Sequence, residues 1–181
     1  MFKIKLQKKF ISFILQQSKA GFSLVEIMTV LFVISIGLIG VLSLIVQNIQ
    51  SQNINKDALI AYQLSQEGIE LIRRTRDTNW LAGQPWNTNL APGHYIIDYQ
   101  DSMPQNITIS GQEYLKQDSL GFYYNQDVVS DSNPTSVFSR TVDIITNPAN
   151  ANSIFVQALI TWTNHDKHYN YVTETTLYDW K

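Results

Sequence analysis

The pattern of apolar and polar positions divides the chain into four stretches of different character. In the second stretch, residues 22–46, nearly every position is apolar and Glu26 carries the only charge. A helix of roughly 20 apolar residues, at about 1.5 Å per residue, crosses the ~30 Å hydrocarbon core of a bilayer. The stretch therefore predicts a transmembrane helix. Because a lone carboxylate is unfavourable in lipid, we expect Glu26 to have a partner or a function.

The third stretch, residues 47–79, changes to an amphipathic helical pattern. Small and apolar side chains recur at spacings of three and four residues and therefore share one helical face. They are Ile54, Ala58, Ala61, Leu64, Gly68 and Ile72. No proline interrupts residues 22–77, so the two stretches predict one continuous helix. Its second half extends beyond the bilayer and is expected to pack on the domain that follows.

The fourth stretch, residues 80–181, predicts a β-sheet domain. After a turn-rich segment, β-branched and aromatic residues concentrate in five predicted strands. These are Gly93–Gln100, Gly121–Asn125, Val137–Thr146, Ser153–Thr163 and Tyr169–Trp180. The residues between the last two are typical of a hairpin turn. The expected fold class is α+β: a long N-terminal α-helix, transmembrane in its first half, packed against a C-terminal sheet of four or five mainly antiparallel strands.

The first stretch, residues 1–21, contains five lysines and no acidic residue. The positive-inside rule makes it a cytoplasmic basic leader and places everything after Val46 on the exported side. Without it, the chain has 8 basic and 15 acidic residues, a formal net charge of −7. A nucleic-acid partner is not expected for such an acidic chain. Cysteine is absent, which excludes disulfides and thiolate chemistry.

Residues Gly21–Glu26, with the sequence G-F-S-L-V-E, resemble the prepilin-type cleavage and methylation motif of type IV pilins and pseudopilins. The basic leader before them and the apolar run after them complete the pattern. The resemblance implies that a prepilin peptidase cuts between Gly21 and Phe22 and methylates the new amino group of Phe22. An ordinary signal peptide is cut after its apolar region, whereas this site precedes it. The helix is therefore expected to remain in the mature chain.

The same resemblance implies a role, a set of partners and a location. The chain is expected to be a structural subunit, and a minor one, of a type IV pilus or a type II secretion-type pseudopilus. The implied partners are prepilin peptidase, other pilin or pseudopilin subunits, inner-membrane lipid and the pilus assembly platform. The subunit would cross the bacterial inner membrane once, with its N-terminus in the cytoplasm, before its exported domain enters an extracellular or periplasmic filament. No cofactor and no enzymatic activity are expected.

Two other roles remain open from the sequence. The first is a binding module, displayed on the membrane or at a filament tip, for adhesion or DNA uptake. The second is a signal-anchored exported protein that is never cut. An intact basic leader in the native cell would favour the second role, and the position of the subunit in purified filaments would decide on the first.

Glu26 is the predicted assembly residue. After cleavage, the ammonium group of Phe22 lies four residues from this carboxylate, in or near the membrane core. In a growing filament, Glu26 of one subunit can meet the Phe22 amine of a neighbour. Such a buried pair fixes the register of two subunits more than it stabilises them, because desolvation offsets most of the attraction.

A second resemblance covers Gln66–Trp80, which is similar to the end of the long helix in minor-pilin-like proteins. Glu70 and Arg74 within it predict an i,i+4 ion pair. We expect three arginines in the last turns of the helix, where a positive charge interacts favourably with the helix dipole. They are Arg73, Arg74 and Arg76. Contact of these arginines with DNA or with a partner filament protein is the alternative.

The remaining clusters of polar residues predict no catalytic or metal-ligating site. His165–His168 fall at the hairpin tip, where we expect a solvated turn. Asp127 and Asp131, with Asn125 and Asn133, could offer oxygens to Ca²⁺, but the D-x-D-x-D-G pattern is absent and a plain acidic loop is expected. No nucleophile motif frames any serine, histidine or aspartate.

Overall fold

The structure is a computed structural model, and it describes residues 21–108, 110–125 and 135–180. Residues 1–20 of the basic leader and residues 126–134 of the acidic loop lie outside the described residues, as do the predictions made for them. By its internal contacts the chain divides into two compact units, Met1–Gln50 and Ser51–Lys181.

One long helix, α1, runs from Leu24 to Leu81 over 58 residues. The predicted continuous helix is therefore confirmed, although it begins two residues later and ends four residues later than the predicted range of 22–77. Within the described residues, α1 is the one helix that is long and apolar enough to cross a membrane, with a mean hydropathy of 2.8 in its most apolar window. Length and composition thus suit its first part to a bilayer.

In the first unit, α1 is exposed on every side. Each of the described residues 21–50 is exposed. The hydroxyl groups of the apolar run bond within the helix: Thr29 donates to the Glu26 carbonyl at 2.8 Å, and Ser35 donates to the Leu31 carbonyl at 2.7 Å. Because the helix itself accepts these hydrogen bonds, both hydroxyl groups can enter an apolar environment without an unpaired donor.

In the second unit, one face of α1 is buried against the sheet. Four residues of the predicted face are buried, namely Ala61, Leu64, Gly68 and Ile72, while Ile54 and Ala58 are half-buried. The closest approach is at Gly68, where an added Cβ atom would lie 3.3 Å from Val142 and 3.4 Å from Ala158. The absence of a side chain at Gly68 therefore sets how close the helix lies to the sheet. The predicted packing of this half of the helix is confirmed.

The rest of the second unit contributes one antiparallel sheet, with seven strands in the described residues. They are β1 Gly93–Ile96, β2 Gln105–Asn106, β3 Tyr114–Gln117, β4 Tyr123–Asn125, β5 Thr135–Thr146, β6 Ser153–Asn164 and β7 Lys167–Tyr178. The predicted antiparallel sheet is confirmed, but the predicted count of four or five strands is too low. Strands β2 and β3 were missed because each is too short to show a strand pattern of its own.

Strand β5 is the centre of the sheet. One of its edges pairs with β6, as in the register Val142↔Ala158, and β6 pairs in turn with β7. Its other edge is shared between two short strands. β3 pairs with the first half of β5 through Tyr114↔Ser139, and β1 pairs with the second half through Tyr95↔Val142. β4 and β2 extend the sheet beyond β3 and β1.

The hairpin of β6 and β7 closes with a two-residue turn. His165 and Asp166 have φ angles of 48° and 59°, both in the left-handed region. Two such residues form a type I′ turn, whose twist matches that of the flanking strands. The predicted hairpin is confirmed, and its second strand begins at Lys167, two residues before the predicted start.

The core lies between α1 and the inner face of the sheet. On β6, the inward residues Val156, Ala158 and Ile160 are fully buried, whereas the outward residue Phe155 is 40% exposed. This alternation places the helix on one face of the sheet and leaves the other face open. The layout is α+β, with a long N-terminal helix packed against a C-terminal antiparallel sheet.

Candidate processing and assembly site

The predicted cleavage residues lie just before the long helix. Gly21, Phe22 and Ser23 have neither helical nor strand structure, and α1 begins at Leu24. Among the described residues, no atom lies within 4 Å of a Cβ placed on Gly21, and Phe22 is 78% exposed. The Gly21–Phe22 peptide bond therefore lies outside the helix, and none of the described residues covers it.

Ser23 is the N-cap residue of α1. Its backbone carbonyl accepts the N–H of Ile27 at 3.1 Å, which is the first hydrogen bond of the helix. Serine is among the residues preferred at this position. Glu26 lies in the first turn, where the helix dipole favours a negative charge. The sequence predicted a helix that starts at Phe22, and this start is corrected by two residues.

The Glu26 carboxylate has no hydrogen-bond or ion-pair partner within the described residues, and Glu26 is exposed. The hydroxyl groups farther along the apolar run differ, because Thr29 and Ser35 bond to helix carbonyls and Ser43 accepts from Gln47 at 3.3 Å. Glu26 therefore keeps its full acceptor capacity for a group outside the described part of the chain.

Gly37 and Gly40 lie within the exposed part of α1. A Cβ placed on either glycine would have nothing within 4 Å among the described residues. A glycine destabilises a helix interior by about 1 kcal/mol relative to alanine, yet α1 continues through both positions. Small residues of this kind let a second helix approach closely in a membrane or a bundle.

A buried arginine on β5 joins the sheet to the helix, and the sequence patterns did not reveal it. Arg140 is fully buried and donates to the Leu64 carbonyl at 3.2 Å, to Glu67 Oε2 at 3.1 Å and to the Ile97 carbonyl at 2.6 Å. A buried guanidinium is tolerated because these acceptors replace water at its two terminal nitrogens, while its Nε–H has no partner among the described residues. A signal was present in the sequence: Arg140 shares the inward face of its strand with Val142 and Ile144.

The residues at the end of α1 that carry the second resemblance make structural contacts within the chain. Asn79 donates from its side-chain amide to the carbonyls of Trp86 at 3.0 Å and Thr88 at 2.7 Å, which holds the loop after the helix. The Arg76 guanidinium lies 4.7 Å from the ring centre of Trp80, within cation–π range. These contacts give the motif a role in packing.

The predicted ion pair at the end of α1 is wrong in its partner. Glu70 pairs with Arg73 at i,i+3, and Arg74 instead donates to the Asp101 carbonyl. The last turn of the helix contains no basic residue, because α1 ends later than predicted. Arg76 therefore lies five residues before the end, and the predicted interaction of the arginines with the helix C-terminus is corrected.

The residues weighed as metal ligands have other contacts where the structure describes them. His168 Nδ1 lies 3.0 Å from Thr163 Oγ1. Asn125 donates from its side chain to the Gln112 carbonyl at 3.1 Å. No group of three histidine, aspartate or glutamate residues that could hold a metal ion occurs in residues 21–108, 110–125 and 135–180. Asp127, Asp131 and Asn133 lie outside these ranges.

Tyr123 has a perturbed pKa in the second unit. Its partial burial raises the pKa of the phenol above the ordinary value of 10.0, and the negative charge of Asp57 raises it further. The ring of Tyr123 meets Phe138 edge to face, with 5.9 Å between the ring centres. Tyr123 therefore stays neutral at physiological pH and acts as a packing residue.

The fold and the N-terminal site together define a pilin-like α+β protein with a long apolar N-terminal helix that suits membrane anchoring. Residues 16–42 match the family model of the prokaryotic N-terminal methylation motif, which is the type IV pilin and prepilin signature. The resemblance inferred from Gly21–Glu26 is thus confirmed, and the motif is that of pilin- or pseudopilin-type proteins processed by prepilin peptidase. No curated protein and no solved structure matches the chain.

Proposed function

We propose that this chain is a structural subunit, and a minor one, of a type IV pilus or a type II secretion-type pseudopilus. Prepilin peptidase cuts between Gly21 and Phe22 and methylates the Phe22 amine. The observation that carries the proposal is the exposed Gly21–Phe22 bond directly before an apolar helix, within the matched motif. Enzymatic activity is not part of this proposal, because the motif belongs to a structural class of proteins.

Two environments account for the exposed part of α1. Before assembly, residues 24–46 lie in the inner membrane, with the leader on the cytoplasmic side and the second unit exported. During assembly the platform moves the subunit into a filament, where neighbouring helices replace lipid around the same apolar surface. The exposure of every side chain in residues 21–50 supports this account, because such a surface requires lipid or other helices around it.

Glu26 sets the register of assembly in this proposal. The new Phe22 ammonium lies close to its own helix N-terminus, where a positive charge is unfavourable. The Glu26 carboxylate of a neighbouring subunit offsets that charge, and the pair satisfies two groups that would each be unfavourable alone in a lipid-like core. The absence of a partner for this carboxylate within the described residues supports the pairing between subunits.

The test is to replace Glu26 and to follow processing and incorporation separately in the native cell. We expect Glu26→Leu to insert and to be cut, while its incorporation into filaments falls at least tenfold, because the neighbour's ammonium group loses its partner. Mass spectrometry of the N-terminus reports processing, and quantification of the subunit in sheared filaments reports incorporation.

Two further variants control this test. Glu70→Leu removes an exposed helix carboxylate in the second unit and should leave incorporation unchanged, since its pair with Arg73 lies at the surface. Gly21→Glu should accumulate as the uncut precursor, because the peptidase site leaves little room for a side chain at that position. Normal incorporation of Glu26→Leu would overturn the pairing, and an uncut wild-type chain would overturn the proposed function.

A further inference from the structure

We propose that the free edge of β7 receives an extended segment of a neighbouring subunit with a different sequence, which adds one antiparallel strand to the sheet. The inference rests on the proposed function, because it places this partner in the same filament. It goes further, since it names the surface of the second unit that recognises the neighbour and the chemistry of the segment that fits there.

The edges of the sheet differ in length. Within the described residues, the sheet ends at β7 on one side and at β2 and β4 on the other. β2 has two residues and β4 has three, whereas β7 has twelve. Short edge strands are one way in which proteins avoid pairing with other chains. In the described part of the chain, the sheet has this protection on one side only.

β7 also lacks the other features that commonly block an edge strand. Its sequence contains no proline, and its one lysine or arginine, Lys167, is its first residue. Its register with β6 runs without a shift from Asn164↔Lys167 to Ser153↔Tyr178, so β7 contains no bulge. Proline, bulges and lysines within a strand are the usual obstacles to strand addition. Among the described residues, only β6 forms backbone hydrogen bonds with β7.

The hairpin turn determines which backbone groups of β7 point to the free edge. In a two-residue type I′ hairpin, the residues that flank the turn exchange two backbone hydrogen bonds, and bonded and non-bonded pairs then alternate. Here the flanking pair is Asn164↔Lys167. Every second residue of β7, from His168 to Tyr178, therefore directs its N–H and C=O away from β6. Such a row of donors and acceptors is what an added antiparallel strand requires.

The side chains beside this row define the segment that fits. Val172 is 42% exposed on the outer face of the sheet. Glu174 is exposed on the same face and accepts from Gln157 through Oε1 at 2.6 Å, while its Oε2 has no partner within the described residues. Cross-strand neighbours on one face interact directly. A partner with Lys or Arg opposite Glu174, and an apolar residue two positions later opposite Val172, complements both side chains.

A second copy of β7 does not match this pattern. Lys167 lies seven residues before Glu174, and an odd separation places the two side chains on opposite faces of the strand. Opposing residues of two antiparallel strands in one sheet share a face, so Lys167 does not meet Glu174 of another copy. Antiparallel pairing of two copies would also reverse the part of α1 that packs on the sheet, whereas subunits anchored in one membrane point the same way.

Amide hydrogen exchange at single-residue resolution distinguishes the two edges of β7. In the isolated, detergent-solubilised mature chain, Tyr171 and Thr173, which bond to β6, should exchange slowly, and Val172 and Glu174 should exchange fast. In purified filaments, exchange of Val172 and Glu174 should slow by roughly tenfold or more, because the added strand accepts their N–H groups. Unchanged fast exchange of both residues in filaments would overturn the inference.

Two substitutions at Val172 separate strand addition from side-chain contact. Val172→Pro removes an N–H that points away from β6, so Thr173 should still exchange slowly in the isolated chain, while incorporation into filaments falls by roughly tenfold. Val172→Ala keeps the N–H group and should be incorporated within about twofold of wild type. Normal incorporation of a folded Val172→Pro chain, or an equal loss in both variants, would overturn strand addition.

A charge reversal tests the same edge without changing the backbone. Glu174→Lys places a positive charge opposite the basic residue of the partner, and its incorporation should fall by about fivefold. Ile145→Lys adds a lysine to the same outer face on β5, away from the free edge, and is the matched control. Equal incorporation of the two variants would overturn the proposed chemistry of the segment, whether or not Val172→Pro folds.

The absence of cysteine from the chain allows the occupant to be distinguished. Asn170→Cys places a single thiol group beside the free edge, and oxidation of filaments should yield no disulfide-linked homodimer. Such a homodimer would show that a second copy occupies the edge and would overturn the choice of partner. A chain absent from filaments would overturn the proposed function together with this inference, whereas a chain present in filaments with an unpaired β7 would overturn this inference alone.

Discussion

The two halves of α1 differ in where their side chains find partners. Residues 24–50 contain the most apolar segment of the helix and yet include no buried position. Residues 51–81 are more polar, and ten of them are buried in the second unit. The more apolar half of α1 is therefore the exposed half, and the more polar half is the one with buried residues. The first half depends on lipid or other chains to cover it, whereas the second half is covered by its own domain.

Polar groups show the same difference. In the second unit they meet partners across elements: Ser65 Oγ lies 2.7 Å from Thr173 Oγ1, and Asn164 donates to Asp57 Oδ2 at 2.5 Å. In the first unit, hydroxyl groups bond to their own helix and Glu26 has no partner within the described residues. Specific polar contacts thus fix the register of helix on sheet inside the subunit. In our proposal the same task between subunits falls to Glu26.

The largest expected effect on stability comes from removing the buried arginine. Arg140→Ala leaves a cavity, strips the Leu64 and Ile97 carbonyls of a donor, and frees Glu67 from its pair. We expect it to lower the free energy of unfolding of the second unit by about 4 kcal/mol. Denaturant unfolding of the detergent-solubilised chain measures it through tryptophan fluorescence, because all four tryptophans lie in residues 80–180.

The matched control for this prediction is another arginine on a surface. Arg73→Ala removes a guanidinium whose pair with Glu70 is exposed, and its effect should stay within about 0.5 kcal/mol. Membrane insertion should be the same for both variants, since neither lies in the first unit. A loss of less than about 1 kcal/mol for Arg140→Ala would contradict the view that this residue holds the sheet to the helix.

Glycine-to-alanine substitutions compare the two halves of α1 directly, and we expect smaller changes in stability from them than from Arg140→Ala. At Gly68 the new methyl group meets Val142 and Ala158 at 3.3–3.4 Å, so we expect a net loss of about 1 kcal/mol even after the gain in helix propensity. At Gly37 nothing lies within 4 Å among the described residues, so the isolated subunit should gain about 1 kcal/mol of local helix stability.

Two measurements follow the glycine variants. Denaturant unfolding reports on Gly68→Ala, and amide hydrogen exchange along residues 30–45 in micelles reports on Gly37→Ala. If Gly37 serves close packing between helices, Gly37→Ala should also reduce incorporation into filaments while its helix becomes more stable. Equal destabilisation by both substitutions in the isolated chain would contradict our division of α1, in which the second half packs on its own domain and the first half is exposed.

The sequence predicts those parts of the fold that are determined by residues close together along the chain, and it misses those that depend on distant residues. The long helix, the long strands β5, β6 and β7 and the hairpin follow from periodicity and turn residues, which neighbouring positions carry. Strands β2 and β3 exist because β1 and β5 offer them edges, so a reading of their few residues alone misses them. Arg140 was missed for a related reason: its three acceptors lie 43 to 76 residues away in the chain.

The N-terminal motif could be recognised from the sequence because its residues lie close together along the chain. Gly21, Phe22 and Glu26 lie within six positions, and their order with the apolar run is the signal that the family model also matches. The helix start was less predictable. An apolar run continues smoothly through Phe22, and only the N-cap preference of Ser23 indicates that the helix begins at Leu24.

The smallest expected effect is a pH dependence confined to the second unit. Burial, and then the charge of Asp57, raise the pKa of Tyr123 in the folded chain, so the phenol ionises more easily when the chain unfolds. Its contribution to stability is fully present below pH 10 and is lost as pH rises through the raised folded-state pKa. Tyr123→Phe should therefore flatten the fall in stability above pH 10, measured by denaturant unfolding at pH 8, 10 and 11. Tyr178→Phe, which removes a phenol hydroxyl group from the exposed outer face of the sheet, is the matched control. An identical alkaline profile in wild type and Tyr123→Phe would mean that the burial of Tyr123 and the charge of Asp57 contribute nothing to the pH dependence of stability.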